Sequence, residues 1–319
     1  MPKNALVGVD VGGTKTAVLI SLGAPSVLAR IEFPTKPARG PEPALRLIHA
    51  GIRDLLAKHR LKPVAIGVSC GGPLDHIAGV IQAPPNLSTW KDVPIKAMLE
   101  DEFGVTCHVE NDANAGAVAE HRFGAGRGCR NMVFLTMGTG LGAGIITDGR
   151  LYHGTNDFAG EIGHVRLTRS GPVGYHKAGS VEGWASGGGM TQIAEKAVKG
   201  ALKRKEPTTL AVFLQQGKPI TARDVALAAG KGDVVAARIL RSTGKRLGAT
   251  LAILVDILNP ERIVIGGLAM RLGETLLRPA REVLEREALP YSTAVCKVVP
   301  AQLDERIGDV AALCVAMGF

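Results

Sequence analysis

Residues 8–16 read GVDVGGTKT and lie between two apolar stretches. Residues 133–146, VFLTMGTGLGAGII, repeat the design: an apolar strand, a turn rich in Gly and Thr, and a second apolar strand. Setting Val7 on Val133 brings Gly12 onto Gly138, Ala17 onto Ala143 and Ile20 onto Ile146. One such hairpin would be an ordinary tight turn. A matched pair points to a duplicated core whose turns grip one polyphosphate from two sides. Glycine lets backbone N–H groups approach phosphate oxygens without a Cβ in the way. Thr14 and Thr139 add hydroxyl donors, and Asp10, at the end of the first strand, is placed to hold a magnesium ion directly or through water.

Outward from the first hairpin, residues 4–10, 15–21 and 27–33 read as three consecutive strands. A helix follows from Pro43 to His59, with Leu45, Ile48, Ile52, Leu55 and Leu56 on one face. Pro63 to Ser69 reads as a buried strand and Cys70 to Trp90 as a Gly- and Pro-rich loop. Pro94 to Phe103 reads as a helix and Val105 to Val109 as a strand. Asn111 and Asp112 open an Ala-rich helix to Phe123, where an acidic first turn suits the helix dipole. The three-strand pattern restarts at Asn131, a mixed loop covers Leu151 to Gly189, and helices then dominate. One carries Leu247, Leu251, Leu254 and Leu258 on a stripe, with Gly244, Gly248 and Ala252 as a small-residue face, and stops at Asn259-Pro260. Arg262 to Ile265 reads as a short buried strand, and a final helix spans Glu305 to Met317. The order in each half is βββαβαβα-like, an α/β architecture in two lobes.

Bulk properties narrow the class. The chain has 319 residues, of which 46% are hydrophobic and 21% charged, with 41 glycines for tight turns. No apolar run approaches the roughly 18 residues of a membrane span, and MPKNALVGVD lacks a signal-peptide core. The five cysteines, Cys70, Cys107, Cys129, Cys296 and Cys314, show no CxxC spacing and read as reduced thiols of a cytoplasmic protein. The net charge of +9 is densest in EKAVKGALKRK, residues 195–205, where no aromatic residue interleaves. A solvated helix end explains that run better than nucleic-acid binding. Excess positive charge also suits an enzyme that attracts anionic substrates.

Two motifs fail on context. Gly67-Val68-Ser69-Cys70-Gly71 matches a nucleophile elbow, but Gly72-Pro73 makes a turn where that motif needs a helix. Gly138-Thr139-Gly140-Leu141-Gly142-Ala143 matches a dinucleotide fingerprint, but a strand follows it. Four polar patches carry more. They are Pro85-Asn86-Leu87 with Trp90 nearby, Glu110-Asn111-Asp112-Ala113-Asn114, Gly160-Glu161-Ile162-Gly163-His164, and Ser180-Val181-Glu182. Taken singly, Asn86 reads as a turn residue, Asn111 as a helix cap, Glu161 and Glu182 as solvated groups and His164 as a satisfied loop histidine; Asp112 alone reads as more than a cap.

Together the patches and hairpins resemble the ROK family of sugar kinases. The segments are DVGGTKT, APPNLSTW, VENDANAGAVAEHRFGAGRG, LTMGTGLGAGIITDGRLYHG, AGEIGHV and NPERIVIGGLA, in the family's order and across almost the whole chain. The resemblance implies a two-lobed actin-like ATPase fold with a ribonuclease-H-like duplicated βββαβαβα core and an interlobe cleft. Residues 1–115 with 305–319 would form the small N-terminal lobe, and residues 116–304 the large C-terminal lobe. It implies an ATP- and magnesium-dependent hexose kinase, most simply a glucokinase acting at the sugar 6-hydroxyl. Kinases of fructose, mannose, N-acetylglucosamine or N-acetylmannosamine are alternatives, and a non-catalytic sugar sensor or transcriptional regulator is a more distant one.

Residue by residue, the resemblance makes Asp112 the general base that takes the proton of the attacking hydroxyl. Asn86, Asn111, Glu161, His164 and Glu182 would bind the sugar hydroxyls. Gly12, Gly13, Thr14, Lys15, Gly138, Thr139 and Gly140 would line the phosphates, and Gly266 and Gly267 the adenosine. It also implies a homo-oligomer, most simply a dimer, and no nucleic-acid or membrane partner. One departure stands out. The family's zinc motif, CxCGxxGCxE, is here VGYHKAGSVE: Val173, Tyr175 and Ser180 replace the cysteines while Glu182 is kept. No structural zinc is expected, because a closed site needs four donors.

Overall fold

The computed structural model describes residues 3–319. Strands β1 (Lys3–Val11), β2 (Lys15–Ser21), β3 (Ala29–Pro34), β4 (Leu61–Cys70) and β5 (Thr106–Asn111) form a sheet of order β3-β2-β1-β4-β5. Helix α1 (Glu42–His59) lies between β3 and β4, and α2 (Ile95–Phe103) between β4 and β5; α3 (Asp112–Phe123) follows β5. The pairs β1–β2 and β2–β3 are antiparallel, whereas β4 lies parallel to both β1 and β5.

A second sheet repeats that order. Strands β6 (Met132–Met137), β7 (Leu141–Thr147), β8 (Arg150–Leu151), β9 (Arg262–Ile265) and β10 (Lys297–Pro300) are arranged β8-β7-β6-β9-β10. Helices α4 (Val181–Ala185), α5 (Gly187–Lys203), α6 (Ala222–Gly230) and α7 (Val234–Leu258) fall between β8 and β9. Helix α8 (Glu274–Glu287) falls between β9 and β10, and α9 (Ile307–Ala316) ends the chain. The duplication read from the two hairpins is therefore a duplication of whole sheets.

The chain divides into two compact units. The first holds residues 1–128, 144–159 and 302–319, and the second residues 129–143 and 160–301. In the first, alternation along β1 decides what packs where. Val7, Val9 and Val11 join the core that includes Ile48 and Ile52 of α1. Gly8, between them, faces the opposite side, where α9 packs. A Cβ there would lie 3.1 Å from that of Ala312, and at its register partner Gly67 one would lie 2.1 Å from the Ala316 nitrogen. Glycine at both positions lets the last helix sit directly on the sheet.

In the second unit, Val133, Leu135, Met137, Ile263 and Ile265 share a core with Leu247, Leu251 and Leu254 of α7. The small-residue face of α7 meets α8 at backbone distance. A Cβ at Gly248 would come within 2.3 Å of the Ala280 carbonyl oxygen, and one at Gly244 within 2.6 Å of that of Leu276. Among the described residues, no helix is long and apolar enough to cross a membrane.

The secondary structure departs from the sequence reading in several places, among them a short hairpin of Leu74–Asp75 with Val80–Ile81 inside the expected loop from Cys70 to Trp90. The region expected as a loop to Gly189 contains α4 and the start of α5. The strand β10 has no counterpart in the reading, and the final helix begins at Ile307 after a 3-10 turn over Asp304–Arg306.

Candidate active site

The parallel strands of the first sheet end level with one another. Asp10 is paired in register with Ser69, and Ser69 with Glu110; one residue on, Val11, Cys70 and Asn111 align. Ligand groups of open α/β sheets gather at such carboxyl ends. Asn111 caps α3, its Oδ1 accepting from the N–H of Ala113 at 2.9 Å and of Asn114 at 3.4 Å. That cap fixes Asp112 in the first helical turn. Asn86 stands on a 3-10 turn, Pro85–Leu87, and is exposed.

Three glycines let these groups close up. A Cβ at Gly13 would lie 2.7 Å from that of Asn86, one at Gly71 would lie 3.5 Å from the Asn86 amide, and one at Gly72 would lie 3.0 Å from Asn111 Nδ2. Gly71 and Gly72 were not singled out in the sequence; their signal was a Gly-Gly-Pro directly after a buried strand. Trp90, by contrast, is fully buried in the first core and offers nothing to a ligand.

The electrostatics follow first from burial, with like charge adding to it at Asp10. The Asp10 carboxyl is raised to about 6 by burial first, then by the carboxylates of Asp112 and Asp309, with Arg30 and Lys15 opposing. Asp112 keeps solvent access. Protein crowded about its carboxyl still displaces enough water to push it above the ordinary carboxylate range, against hydrogen bonds from backbone N–H groups that lower it. Two such carboxylates, both raised by lost water and Asp10 also by the charge of Asp112, suit a divalent cation, and an all-oxygen donor set suits magnesium. Lys15, expected beside the phosphates, is ion-paired with Glu32 at 3.0 Å.

In the second unit, Glu182 lies in the first turn of α4, and its Oε2 accepts from the Leu141 N–H at 3.1 Å. A Cβ at Gly140 would lie 2.7 Å from that same oxygen. Glu161 precedes the 3-10 turn Ile162–His164, and Gly163 of that turn packs against the Leu141 carbonyl. The second hairpin, this turn and α4 are thus one assembly that presents Glu161, His164 and Glu182; Glu161 and His164 are exposed.

Beside it, Gly138 and Thr139 line a cavity of about 480 Å³ together with Gly187, Gly188, Thr191, Thr221, Gly267 and Arg271. The N–H groups of Gly187 and Gly188 donate to the carbonyls of Gly138 (2.8 Å) and Thr139 (3.1 Å), so the hairpin sits on the N-terminus of α5. A helix N-terminus favours anions. Gly267, with φ of +67°, lines this cavity, whereas Gly266 is buried against the Phe134 ring. Thr221 went unremarked in the sequence; its signal was the capping box it forms with Asp224 at the start of α6.

The segment where the family's zinc motif falls is held by hydrogen bonds. Gln192 clamps Val173, its Oε1 accepting from the Val173 N–H (2.9 Å) and its Nε2 donating to the Val173 carbonyl (2.8 Å). Trp184 Nε1 donates to Thr168 Oγ1 at 2.8 Å, with the Arg246 guanidinium 4.7 Å above the ring. Lys177 Nζ donates to the His164 carbonyl at 2.8 Å, and Ser180 Oγ accepts from the Gly183 N–H at 3.1 Å. Tyr175 stands edge-on to His164 and is exposed. With Val173 bringing no donor and Ser180 engaged as a cap, these residues do not fit a zinc ion. Among the described residues no group of His, Cys, Asp and Glu is arranged to hold a metal by three or more side chains.

Two sheets of one order, each with a glycine hairpin between its first two strands, define an actin-like ATPase fold. Within it, the chain belongs to the ROK family, whose match runs over residues 6–317. It is similar to a glucokinase of Halalkalibacterium halodurans, 38% identical over 293 residues that cover 89% of this chain and 86% of that one. It is also similar to a xylose repressor of Caldicellulosiruptor bescii, at 28% identity covering 98% of this chain and 77% of the repressor. Among solved structures, a ROK family glucokinase from Streptomyces griseus in complex with glucose and AMPPNP superposes with a TM-score of 0.79. That pair is 31% identical, with 99% of this chain and 100% of that one covered.

Proposed function

We propose that this chain is an ATP-dependent glucokinase that transfers the γ-phosphate of ATP to the 6-hydroxyl of glucose. The observation that carries the reading is the pair Asp10 and Asp112 at the level strand ends of the first sheet, in a chain 38% identical to a glucokinase. Phosphoryl transfer needs positioning and charge stabilisation more than covalent chemistry. Asp112, its carboxyl raised toward the working pH, takes the proton from the attacking hydroxyl. Asn86, Asn111, Glu161, His164 and Glu182 bind the sugar hydroxyls. Gly12, Gly13, Thr14, Lys15, Gly138, Thr139 and Gly140 serve the phosphates, Lys15 on release from Glu32, and Gly266 and Gly267 serve the adenosine. Asp10 would hold magnesium directly or through water, and the ion would supply charge neutralisation on the phosphates.

ADP release measured over a panel of glucose, fructose, mannose, N-acetylglucosamine and N-acetylmannosamine tests this reading. Glucose is expected to give the highest kcat/KM. Preference for another sugar would reassign the substrate, and sugar binding without ADP release would favour a sensor related to the repressors. We further propose a cytoplasmic homodimer; a monomer by light scattering at micromolar concentration would refute the assembly.

A further inference from the structure

One buried cluster of titratable groups in the first unit stands outside the residues given roles above. Glu110, on β5 immediately before Asn111, is 2% exposed. Its Oε1 accepts from the Asn111 N–H and from Asn114 Nδ2, each at 2.9 Å. Its Oε2 lies 2.8 Å from His153 Nε2. The His153 ring is stacked on that of His76, with centroids 4.1 Å apart and planes inclined by 7°. His76 stands against Asp157: Nδ1 is 2.7 Å from Oδ1 in ion-pair geometry, and the His76 N–H donates to Oδ2 at 3.0 Å. Two carboxylates thus flank two stacked imidazoles.

Glu110 grips the head of α3 at two points, one on either side of Asp112. Asn111 in turn caps the same helix. A shift of the Glu110 carboxylate therefore moves both residues that bracket Asp112. A carboxylate so buried needs donors and a counter-charge, and His153 supplies both. We infer that the Glu110–His153 pair is a positioning device that aims Asp112, with His76 and Asp157 setting how firmly His153 holds it. Calling Asp112 the aimed base rests on the kinase reading; the coupling of the four groups does not.

The charged groups around His153 are Glu110 from β5, His76 from the turn after Leu74–Asp75, and Asp157 from its own loop. Helix α3, which packs against β8, adds Asp112 at its head. The hydrogen bond to Glu110 raises the His153 imidazole above its ordinary value, burial opposes it, and the charges of Glu110 and Asp157 reinforce the rise. Protonated His153 therefore extends to higher pH than a free imidazole would, and its hold on Glu110 is lost as pH rises through that raised value.

The test compares the wild type with H153Q, which keeps a donor but cannot be charged, and with H76F, which keeps a stacked ring. NMR titration follows the His153 imidazole and the Ala113 and Asn114 amides, and kinetics follow kcat against pH. In the wild type the amides are expected to titrate with the His153 midpoint, and kcat to fall along an alkaline limb at that midpoint. H153Q should flatten both curves, leave KM for ATP and sugar unchanged, and lower kcat at pH 7 by about 10-fold, the scale of a small misplacement of a reacting group. H76F should move the His153 midpoint upward, because Asp157, no longer shared with His76, acts undivided on His153. Amides that ignore the His153 titration, or an H153Q enzyme with the wild-type kcat and pH profile, would overturn the inference. A wild type that phosphorylates no sugar would defeat the kinase reading instead, and the amide titration would still decide the coupling.

Discussion

Asp10 and Asp112 are both carboxylates pushed upward, and the difference in cause separates their roles. For Asp112 the leading cause is lost water, opposed by backbone N–H groups of its own helical turn. A carboxylate in that state is a stronger base than one in water. D112A is expected to fold and to lower kcat by about 10²–10⁴, the range for a positioned acid–base group. A coupled ADP assay on the purified variant decides it; near-wild-type turnover would remove Asp112 from the chemistry. For Asp10, burial acts together with two neighbouring carboxylates. Its carboxyl is raised in the fold, so its favourable contribution is complete below the unfolded value and is lost as pH rises through about 6. At pH 8 the charged form opposes folding. D10N should therefore be more stable than the wild type at pH 8 by up to about 3 kcal/mol, less whatever solvent screens. The gain should vanish near pH 4, and activity should be lost. Urea melts at the two pH values check the sign.

At the scale of elements, the segment from Thr168 to Gln192 shows how side-chain hydrogen bonds hold a loop. Gln192 of α5 pairs with both backbone groups of Val173, as a neighbouring strand would. Q192A should loosen the two-stranded turn Val173–Gly174 with Lys177–Ala178 and raise KM for sugar several-fold while leaving KM for ATP in place. Equal effects on both constants would show that the clamp serves general stability. This clamp was not legible in the sequence. Trp184 and Ser180 also hold the loop, through Thr168 Oγ1 and the Gly183 N–H. A glutamine ten residues after the last motif position, Glu182, gave no pattern to read. The hairpin β1–β2 was legible because apolar strands flank a glycine turn, and α7 because its Leu stripe runs over three turns to an Asn-Pro stop. Strand β10, KVVP, was missed because a four-residue run ending in proline carries no period. The start of α5 was missed because Gly187-Gly188-Gly189 reads as a loop, and only the Ser186 cap and its packing on Gly138 make it helical. In the candidate site, residues inside dense motifs could be read directly. Gly71, Gly72 and Thr221 could not, since their roles depend on what the fold brings beside them.

At the scale of the whole molecule, the chain does not use its parts in order. Residues 302–319 belong to the first unit, and α9 lies on Gly8 and Gly67 of its sheet. The buried carboxylate of Glu120 also accepts from the N–H groups of Gln302 and Leu303. Truncation after Ala301 is therefore expected to unfold the first unit, with loss of amide protection along β1 and β4 and retention along β6 and β9. Hydrogen exchange read by mass spectrometry checks this, and protection kept along β1 would refute it. The same arrangement bears on synthesis. Chains fold as they leave the ribosome, N-terminal parts first where they can. Here the N-terminal sheet emerges early but lacks its covering helix until Ile307–Ala316 have been made, after every residue of the second unit, which ends at Ala301. The part made first is the part finished last, and through most of translation its glycine-lined face is open to whatever the nascent chain meets.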